Sequence, residues 1–391
     1  MVCAREFVGK RAMELTRMSQ KVCTFALDMK CPNTIKSPQK SVERLLKSGL
    51  SFALFRFPKE TTIHLILQTE GETRLLSPGE KEPRGFIFAP FQECSQCPTL
   101  LIEPQIMAQG WEAIGMATRQ LPKRKVSLAN PHVRHAESRY KEFFRQSKEA
   151  IQRKEVEKIV AADKQTERGR YHLKGREAEL FCKAVEGFSN SMVSLVYTPQ
   201  SGRWMGITPE VLLKGGNGMF HTMALAGTKK DEETEWDRKN QMEHQTVVRY
   251  LEETFRQGGI PFTKGTRYTR RAGHLFHLCT EFSLSPTPAY HTSDLIRLIH
   301  PTPAVCGMPQ ENALRLILSK EKCERNYYSG YLGPINMPEG THIYVNLRCA
   351  NIHRYKTLYY GGGGLNQFSE LEKEQQEILH KINVLKQLAD D

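Results

Sequence analysis

The sequence predicts a chain of the α+β class that folds as one large unit. Strand-like runs and helical runs follow one another along all 391 residues. They lack the regular strand–helix–strand rhythm of a doubly wound parallel sheet, which favours mixed sheets with helices packed on them. No internal repeat, low-complexity tract or long linker divides the chain. We therefore expect an N-terminal part that packs on a C-terminal catalytic part.

The N-terminal part is predicted to contain short strands with helices between them. The runs SGLSFALFRFP, TTIHLILQ and RGFIFAPF are apolar or alternate apolar with polar residues, with Pro or Gly at their ends, as is typical of strands. We place this α/β part at residues 1–135 and the catalytic domain at 136–391. Residues 1–17 are an optional extension, because the strand-like pattern begins only near Val22 and Met18 offers an alternative start.

The catalytic part has longer helical patterns between its strands. The GGNG stretch at 215–218 predicts a hairpin turn between two paired strands. Strands are also predicted in EKIVAADK, LFHLCTEFSLS, HIYVNLRCANI and KTLYYGG, and helices over 178–188, 237–257, 311–320 and 370–390.

The composition is ordinary for a globular protein, with 39% hydrophobic and 25% charged residues. No apolar run approaches the roughly 18 residues that a membrane span requires, and the N-terminus shows no signal-peptide core. We therefore expect a cytoplasmic protein without a membrane partner, whose ten cysteines are thiols. Cys94 and Cys97 have metal-binding spacing, but a structural zinc site needs a second pair that the sequence does not offer.

The net charge of +13 has three interpretations: nucleic-acid binding, an anionic small substrate, or a solvated basic surface. The basic clusters LPKRKV and RYTRR have no interleaved aromatic residues and match no nucleic-acid-binding module. We predict no nucleic-acid partner, and a basic surface that helps to attract an anionic substrate. A non-catalytic protein that binds anions or nucleic acid is the alternative from another class.

The last predicted helix carries charged residues on one face. Glu374, Glu377 and Lys381 follow one another at helical spacing. Taken alone, this pattern is as typical of a solvated helix with a Glu–Lys pair. Four glycines at 361–364 follow a strand-like run and precede this helix, as in loops that cradle phosphate, but carboxylates and no early lysine follow them here.

A second helix makes a metal site the better interpretation. Glu243 lies four and eight residues before Val247 and Leu251, on or beside the stripe that should face the core. A carboxylate there is costly unless it is paired or bound to a metal. Its neighbour His244 is predicted to be a satisfied hydrogen-bonding residue. Inward carboxylates from two helices, with few His or Cys, suit Mg²⁺.

Two further residues are candidates for acid–base chemistry. Glu210 follows Pro209 between the apolar stretches ITP and VLL, so we expect it to be half-buried, with a raised pKa that suits a proton donor. An exposed turn glutamate is the alternative. Lys158 lies against an apolar Ile-Val pair, where a lysine loses basicity and becomes a general base; a lysine that keeps its ammonium in water is the alternative.

These pieces together resemble one known family. GITPEVLL, ALAGT, EHQTVV, HPTPAVCG, ERNYYSGYLG, NLRCA and the terminal GGGG with E, E and K occur in this order. In this respect the chain is similar to the chorismate-utilising enzymes, from about residue 140 to the C-terminus. Each motif is weak by itself, and the ordered set is specific. The resemblance implies a large mixed-sheet α+β fold with helices packed around two sheets, and a Mg²⁺ ion that bridges a carboxylate of chorismate.

The resemblance also implies roles for individual residues. Glu243 and Glu377 match the metal-binding glutamates, and Glu374 matches their neighbour. Lys158 matches the base that activates water, and Glu210 the acid that protonates the departing hydroxyl group. The implied substrate contacts are Thr228, His277, Ala304, Tyr328, Arg348, Gly361, Gly362, Gly363 and Lys381, with Arg348 on the enolpyruvyl carboxylate.

Among the branches of this family, the chain most resembles the isochorismate synthases. Ala226 stands where aminodeoxychorismate synthases carry a nucleophilic lysine, and TPAVCG replaces the PAGT motif of anthranilate synthases. We therefore expect an isomerase that is a monomer or homodimer without an amidotransferase subunit. It would serve menaquinone biosynthesis, with a catecholate siderophore pathway as the alternative. Salicylate synthase, which adds a pyruvate-elimination step, is the nearest competitor.

Two features depart from the family pattern. Asn240 stands three residues before Glu243, where relatives often carry Asp or Glu, which implies altered water binding around the metal. An insertion near LNQFSELE lengthens the path from the glycines to the last helix. Neither departure removes a residue with an implied catalytic role.

Overall fold

The fold is built from two antiparallel sheets packed face to face with helices outside them. The computed structural model of the protein describes residues 38–77, 79–124, 139–168 and 175–390. The helices are α1 (Pro38–Ser48), α2 (Gly110–Ala117), α3 (Tyr140–Gln152), α4 (Glu177–Gly187), α5 (Arg238–Gln257), α6 (Thr292–Ile299), α7 (Gln310–Lys320) and α8 (Leu371–Asp390).

The strands of the described residues follow in chain order. They are β1 (Ser51–Arg56), β2 (His64–Gln68), β3 (Arg74–Leu75), β4 (Gly85–Ala89), β5 (Leu100–Ile102), β6 (Ile106–Gln109), β7 (Lys158–Arg168), β8 (Met192–Thr198), β9 (Gly202–Thr208), β10 (Val211–Gly216), β11 (Met219–Lys229), β12 (Phe262–Lys264), β13 (Tyr268–Ala272), β14 (Leu275–Leu284), β15 (Gly307–Met308), β16 (Tyr331–Ile335), β17 (Thr341–Val345), β18 (Cys349–Ile352) and β19 (Lys356–Leu365).

Each sheet contains strands from both halves of the chain. The nine-stranded sheet has the order β15-β7-β19-β18-β9-β8-β1-β2-β6, and the ten-stranded sheet β12-β14-β11-β10-β17-β16-β4-β5-β3, with β13 paired to β14. The boundary that the sequence predicts at residue 135 lies outside the described residues, as do the extension 1–17 and Met18. The division into N-terminal and catalytic parts stays a prediction.

The hydrophobic core has three layers, which follow from the alternation of side chains along each strand. In β1, Phe52 and Leu54 pack towards α1, α3, α4 and α8, whereas Ala53 and Phe55 point between the two sheets. A third cluster lies between the ten-stranded sheet and the helices α5 and α6. Burial on both faces explains why β1 and β8 read as nearly continuous apolar runs.

The sequence predicted most elements correctly and misjudged HIYVNLRCANI. The α+β class is confirmed, and so is the hairpin turn, where Asn217 and Gly218 adopt positive φ between β10 and β11. HIYVNLRCANI is two strands rather than one, because the chain leaves the ten-stranded sheet after β17 and enters the nine-stranded sheet at β18. In the described part of the chain, no helix is long and apolar enough to cross a membrane.

Candidate active site

Glu210 and Arg348 lie where the chain passes from one sheet to the other. Glu210 follows β9 of the nine-stranded sheet and precedes β10 of the ten-stranded sheet, and Arg348 lies between β17 and β18. The two crossings are hydrogen bonded to each other: the Val345 amide donates to the Glu210 carbonyl at 3.0 Å, and the Ile207 amide to the Arg348 carbonyl at 3.2 Å. The sheets therefore hold both side chains in one buried place.

The glycine run belongs to a strand, which continues the predicted strand KTLYYGG beyond Gly362 to Leu365 and leaves no loop at the glycines. Residues 361–364 belong to β19 and pair with Asp163 to Val160 of β7. A Cβ atom on Gly364 would lie 2.1 Å from Glu243 Oε1 and 2.8 Å from Lys158 Cε, and one on Gly362 would lie 2.6 Å from the Tyr328 hydroxyl oxygen. Glycine is required at these positions because the side chains of Glu243, Lys158 and Tyr328 contact the backbone of the strand.

Lys158 begins β7 and is fully buried. Its ammonium nitrogen lies 3.2 Å from Glu243 Oε1, and its backbone pairs with Met308 of β15. Burial lowers the pKa of Lys158, although the neighbouring Glu243 opposes that shift. The sequence predicted that Lys158 lies against apolar residues, and β7 is buried from Lys158 to Ala162, as expected.

An ion pair behind β7 fixes the start of this strand, and sequence reasoning missed it. Arg325 donates to Glu321 Oε2 at 2.6 Å and to the carbonyls of Val305 and Val160, both at 2.7 Å. Glu321 Oε1 accepts the Ala162 amide at 2.8 Å. The pair therefore ties α7 and the HPTPAVCG segment to the strand that carries Lys158.

Three predicted metal carboxylates converge on a lysine that the sequence analysis did not single out. The ammonium nitrogen of Lys239 lies 3.3 Å from Glu243 Oε2, 3.3 Å from Glu374 Oε1 and 3.4 Å from Glu377 Oε2. We call these four residues the carboxylate cluster. Lys381 adds a second cation, 2.7 Å from Glu377 Oε1 and 2.9 Å from the Gly362 carbonyl.

The negative charge of the three glutamates in the carboxylate cluster is opposed by Lys239 and by the neighbouring Lys158 and Lys381. Burial raises the pKa of Glu374 to about 7, with repulsion from Glu377 and Glu243 working in the same direction and Lys239 against it. For Glu377, burial is outweighed by Lys239 and Lys381, which hold its pKa well below the ordinary value. The ammonium groups of Lys158 and Lys239 likewise overcome burial and lower the pKa of Glu243.

The carboxylate cluster fits a hard cation in its donors, though its centre is filled. Three carboxylates from two helices are the ligand type that Mg²⁺ prefers. Within the described ranges, however, no three acidic, His or Cys side chains are gathered closely enough to hold a metal ion as they stand. The Lys239 ammonium lies between the three carboxylates.

His277 and Arg348 form a buried pair at the other end of the site. His277 Nδ1 contacts the Gly227 carbonyl at 2.8 Å, and its Nε2 faces Arg348 Nη2. Burial and the nearby guanidinium lower the pKa of His277 to about 3, so a neutral ring donates to Gly227 and accepts from Arg348. Burial also lowers the pKa of Arg348 to about 10, and a second N–H donates to the Ala272 carbonyl at 2.9 Å.

Asn240 and His244 have structural partners. Asn240 Oδ1 accepts the Thr228 amide at 2.9 Å, and its Nδ2 donates to Asp237 at 2.9 Å. It therefore joins the end of β11 to the first turn of α5. His244 Nε2 lies 3.3 Å from the Thr280 hydroxyl oxygen, in keeping with its predicted hydrogen-bonding role.

Most of the predicted site residues surround one inner cavity of about 70 Å³. Its lining includes Glu210, Thr228, Glu243, His277, Ala304, Tyr328, Arg348, Gly361, Gly362 and Lys381. Lys158 lies behind Glu243, and Gly363 faces Glu374, with an added Cβ 3.3 Å from its Oε2. Glu374, Glu377 and Lys239 instead line an outer cavity of about 630 Å³, and Thr228 contributes to both cavities.

Glu210 contributes a buried carboxyl group to this inner cavity. Burial raises its pKa to about 8, against the opposing effect of Lys158, Lys381 and Arg348. It is buried more deeply than the predicted half-buried turn, with 4% of its surface exposed. A carboxylic acid that keeps its proton at neutral pH is equipped to donate it.

Comparison with known proteins identifies the family of this chain. The family model described as chorismate binding enzyme matches residues 99–389, which is well over half of the chain. The chain belongs to the chorismate-binding enzymes. The resemblance predicted from ordered motifs is thereby confirmed.

Relatives of this chorismate-binding enzyme include isochorismate synthases. Isochorismate synthase MenF of Haemophilus influenzae is 25% identical over 331 residues, which cover 81% of this chain and 74% of that protein. Isochorismate synthase EntC of Escherichia coli is 26% identical over 199 residues, 47% of this chain and 50% of that protein. The chain thus aligns with about half the length of EntC.

Solved structures share the fold of this chorismate-binding enzyme. MenF, the menaquinone-specific isochorismate synthase from Escherichia coli, superposes with a TM-score of 0.71 at 17% identity, over 97% of this chain and 99% of that chain. Anthranilate synthase component I from Streptococcus pneumoniae gives 0.56 at 14% identity, over 95% and 97%. At these identities the likeness shows the fold.

Lys239 and the Glu321–Arg325 pair are the site residues that sequence reasoning missed. Lys239 lies four residues before Glu243, at the spacing of a helical i, i+4 pair. That spacing was a usable signal, but it is common on solvated helices. Glu321 and Arg325 are also four apart, yet no helix connects them, so their pairing could not be predicted from periodicity.

Proposed function

We propose that the chain is an isochorismate synthase, which converts chorismate to isochorismate. The observation that carries this proposal is that a carboxyl group with a raised pKa and an amine with a lowered pKa lie near the same inner cavity. Burial raises the pKa of Glu210 and lowers that of Lys158. Glu210 is thereby suited to give a proton near neutral pH, and the pKa of Lys158 is shifted in the direction that suits a base.

The reaction in this proposal is an isomerisation in which water is both added and lost. Lys158 Nζ takes a proton from a water molecule, and the oxygen of that water bonds to ring carbon C2 of chorismate. The ring double bonds shift, the C4–O bond breaks, and the Glu210 carboxyl gives its proton to the departing hydroxyl. One water enters and one leaves, so no oxidant or further reactant is required.

The substrate in this proposal is held by the basic residues that line the inner cavity. Arg348 has a planar fork that suits the enolpyruvyl carboxylate, and Lys381 and the β19 amides would face the other carboxylate. The Tyr328 ring, stacked on Tyr360 with centroids 5.4 Å apart, closes one side. Ala226 lines the same cavity and offers no amine, so water is the nucleophile.

Magnesium is part of this proposal. Glu243, Glu374 and Glu377 would hold the ion, which when bound would neutralise a substrate carboxylate and draw electrons from the ring. The inner cavity of about 70 Å³ is smaller than ligand pockets of roughly 300 Å³ or more. Side chains must therefore move when substrate binds.

A chromatographic assay of purified protein with chorismate and Mg²⁺ tests the proposed reaction. We expect isochorismate, and a loss of about 10²-fold or more in kcat for Lys158→Ala and for Glu210→Gln. Lys141→Ala and Glu339→Gln, at exposed positions, are the matched controls and should retain full rate. Absence of isochorismate would refute the reaction, and a near-normal rate for Lys158→Ala would refute the base.

Two finer assignments belong to the same proposal. Salicylate fluorescence without an added lyase would indicate a salicylate synthase instead. We assign the product to menaquinone biosynthesis, which is supported by the alignment of 81% of the chain with MenF against 47% with EntC. Growth of a strain that lacks isochorismate for menaquinone should be restored by this gene, and rescue of a siderophore-deficient strain alone would contradict the assignment.

A further inference from the structure

The position of Lys239 goes beyond what the proposed reaction requires. Its ammonium lies within 3.4 Å of an oxygen from each of three carboxylates, and 11% of its side chain is exposed. These carboxylates are the ones assigned above to the metal. The lysine therefore stands where the divalent cation would stand.

We propose that Lys239 is an internal counter-cation that holds the three carboxylates together in the metal-free protein and withdraws when a divalent cation binds. The inference rests on the metal ligands of the proposed function and adds a competitor for their site. Lys239 is a positioning residue in this account, because it acts through Glu243, Glu374 and Glu377.

Competition follows from the distances. Mg²⁺ bonds to carboxylate oxygens at about 2.0–2.1 Å, so an ion bound to all three groups would occupy the space now filled by the ammonium. Two cations side by side would also repel each other in a buried site. Without a cation between them, the three glutamates would be neighbouring buried carboxylates opposed only by Lys158 and Lys381 at the edge of the cluster, which is costly.

The structure leaves room for the lysine to withdraw. Its backbone is fixed in the first turn of α5, where its carbonyl accepts Asn366 Nδ2 at 3.1 Å. Its long side chain borders the outer cavity of about 630 Å³, which Glu370 and Glu372 also line. A rotation of the side chain would therefore carry the ammonium towards other carboxylates without moving the helix.

The withdrawal would also affect access. Glu243 lines the inner cavity, whereas Lys239, Glu374 and Glu377 line the outer one. The carboxylate cluster thus lies between the two cavities. Metal binding would move the Lys239 side chain away from the region between the two cavities. Binding of the metal would thereby be coupled to opening of the inner cavity.

The test is Mn²⁺ binding to purified metal-free protein, followed by the electron paramagnetic resonance signal of free Mn²⁺. Lys239→Met should bind Mn²⁺ about tenfold or more tightly than the unmodified chain. In the unmodified chain the ammonium fills most of the sites, and the apparent Mn²⁺ affinity is reduced to the fraction of sites that are free. Lys373→Met is the matched control, since Lys373 lines the same cavity and pairs with Glu370 at 2.7 Å. Its Mn²⁺ affinity should not change.

Thermal unfolding in the presence of a chelator gives a second readout that does not depend on activity. Lys239→Met should unfold at a lower temperature than the unmodified chain, and Mg²⁺ should restore it. Lys239→Arg keeps the cation and should unfold like the unmodified chain in chelator. If Lys239→Met is recovered folded only with Mg²⁺ present, the dependence itself supports the stabilising role.

The outcomes separate this inference from the proposed function. Equal or weaker Mn²⁺ binding by Lys239→Met, with isochorismate still formed by the unmodified chain, would overturn the role of Lys239 alone. If neither protein binds Mn²⁺ and the unmodified chain forms isochorismate in chelator, both the competition and the proposed metal are overturned.

Discussion

At the scale of residues, one physical cause prepares the proposed acid and base. Removal from water disfavours the charged form of any group. It therefore raises the pKa of the Glu210 carboxyl and lowers that of the Lys158 amine. His277 responds in the same way, and its neutral ring can accept a hydrogen bond from Arg348.

The raised pKa of Glu210 predicts a pH dependence. The proposed acid works only while protonated, and its pKa is about 8. We therefore expect kcat/KM to fall as pH rises through about 8, measured with chorismate at fixed Mg²⁺ and constant ionic strength. Thermal unfolding at each pH controls for loss of structure. A profile that stays flat to about pH 10, two units above that pKa, would contradict the assignment.

At the scale of elements, the glycine strand β19 and the crossings between sheets shape the site. β19 lets Glu243 and Lys158 approach its backbone because no side chain stands between them. The segments at Glu210 and Arg348, where the chain passes from one sheet to the other, place polar side chains in the otherwise apolar space between the two sheets.

Gly364→Ala tests the close approach of side chains to β19. The added Cβ would lie 2.1 Å from Glu243 Oε1, which is the flexible end of a side chain, so Glu243 should move and the fold should survive. We expect kcat/KM to fall about 10²-fold, because small misplacements cost that much, with a cost of about 1–3 kcal/mol in unfolding free energy. Gly216→Ala is the control, since its Cβ would meet Gly340 at an ordinary 3.6 Å. Full activity of Gly364→Ala would show that Glu243 need not occupy its present position.

The Glu321–Arg325 pair predicts a stability effect at the start of β7. Arg325→Met would leave the buried Glu321 side chain without its partner, and breaking a buried pair costs about 3–5 kcal/mol. Denaturant unfolding followed by circular dichroism measures the loss. Arg315→Met, on the exposed face of α7, should change the unfolding free energy little. Because Glu321→Gln removes the stranded charge, the double variant should recover part of the loss; no recovery would contradict this explanation.

At the scale of the whole molecule, strands that are distant in sequence share each sheet. β1 pairs with β8 over five residue pairs, and β4 pairs with β16 over five. All three hydrophobic clusters contain residues from before position 124. The N-terminal strands are therefore part of the same core as the strands that carry the candidate site residues.

This interleaving predicts that the C-terminal part does not fold by itself. A fragment of residues 136–391 would expose the edges of β8 and β16 and remove one side of each core layer, so we expect it to aggregate or to lack cooperative unfolding. A fragment of residues 37–391, which keeps every described element, is the control. A monomeric 136–391 fragment with a sharp thermal transition would establish the predicted division as two independent domains.

Local patterns in the sequence determined much of this protein. The periodicity of α5 and α8 and the Asn217–Gly218 turn depend on neighbours within a few residues, so they could be predicted. The family membership also follows from ordered motifs, which the match over residues 99–389 confirms. The inward position of Glu243 was readable because the residues four and eight positions later are apolar.

Only the tertiary structure decided which of these residues meet. Glu243, Glu374 and Lys239 are far apart or unremarkable in sequence. Their convergence depends on how α5, which packs on β11 and β14, directs its side chains towards β19 and α8. The glycine run became a strand because β7 pairs with it, and HIYVNLRCANI became two strands because two sheets compete for it. Local propensity fixes most elements of this chain, whereas pairing and burial, which act between distant residues, decide the remaining strands and the charges of the site.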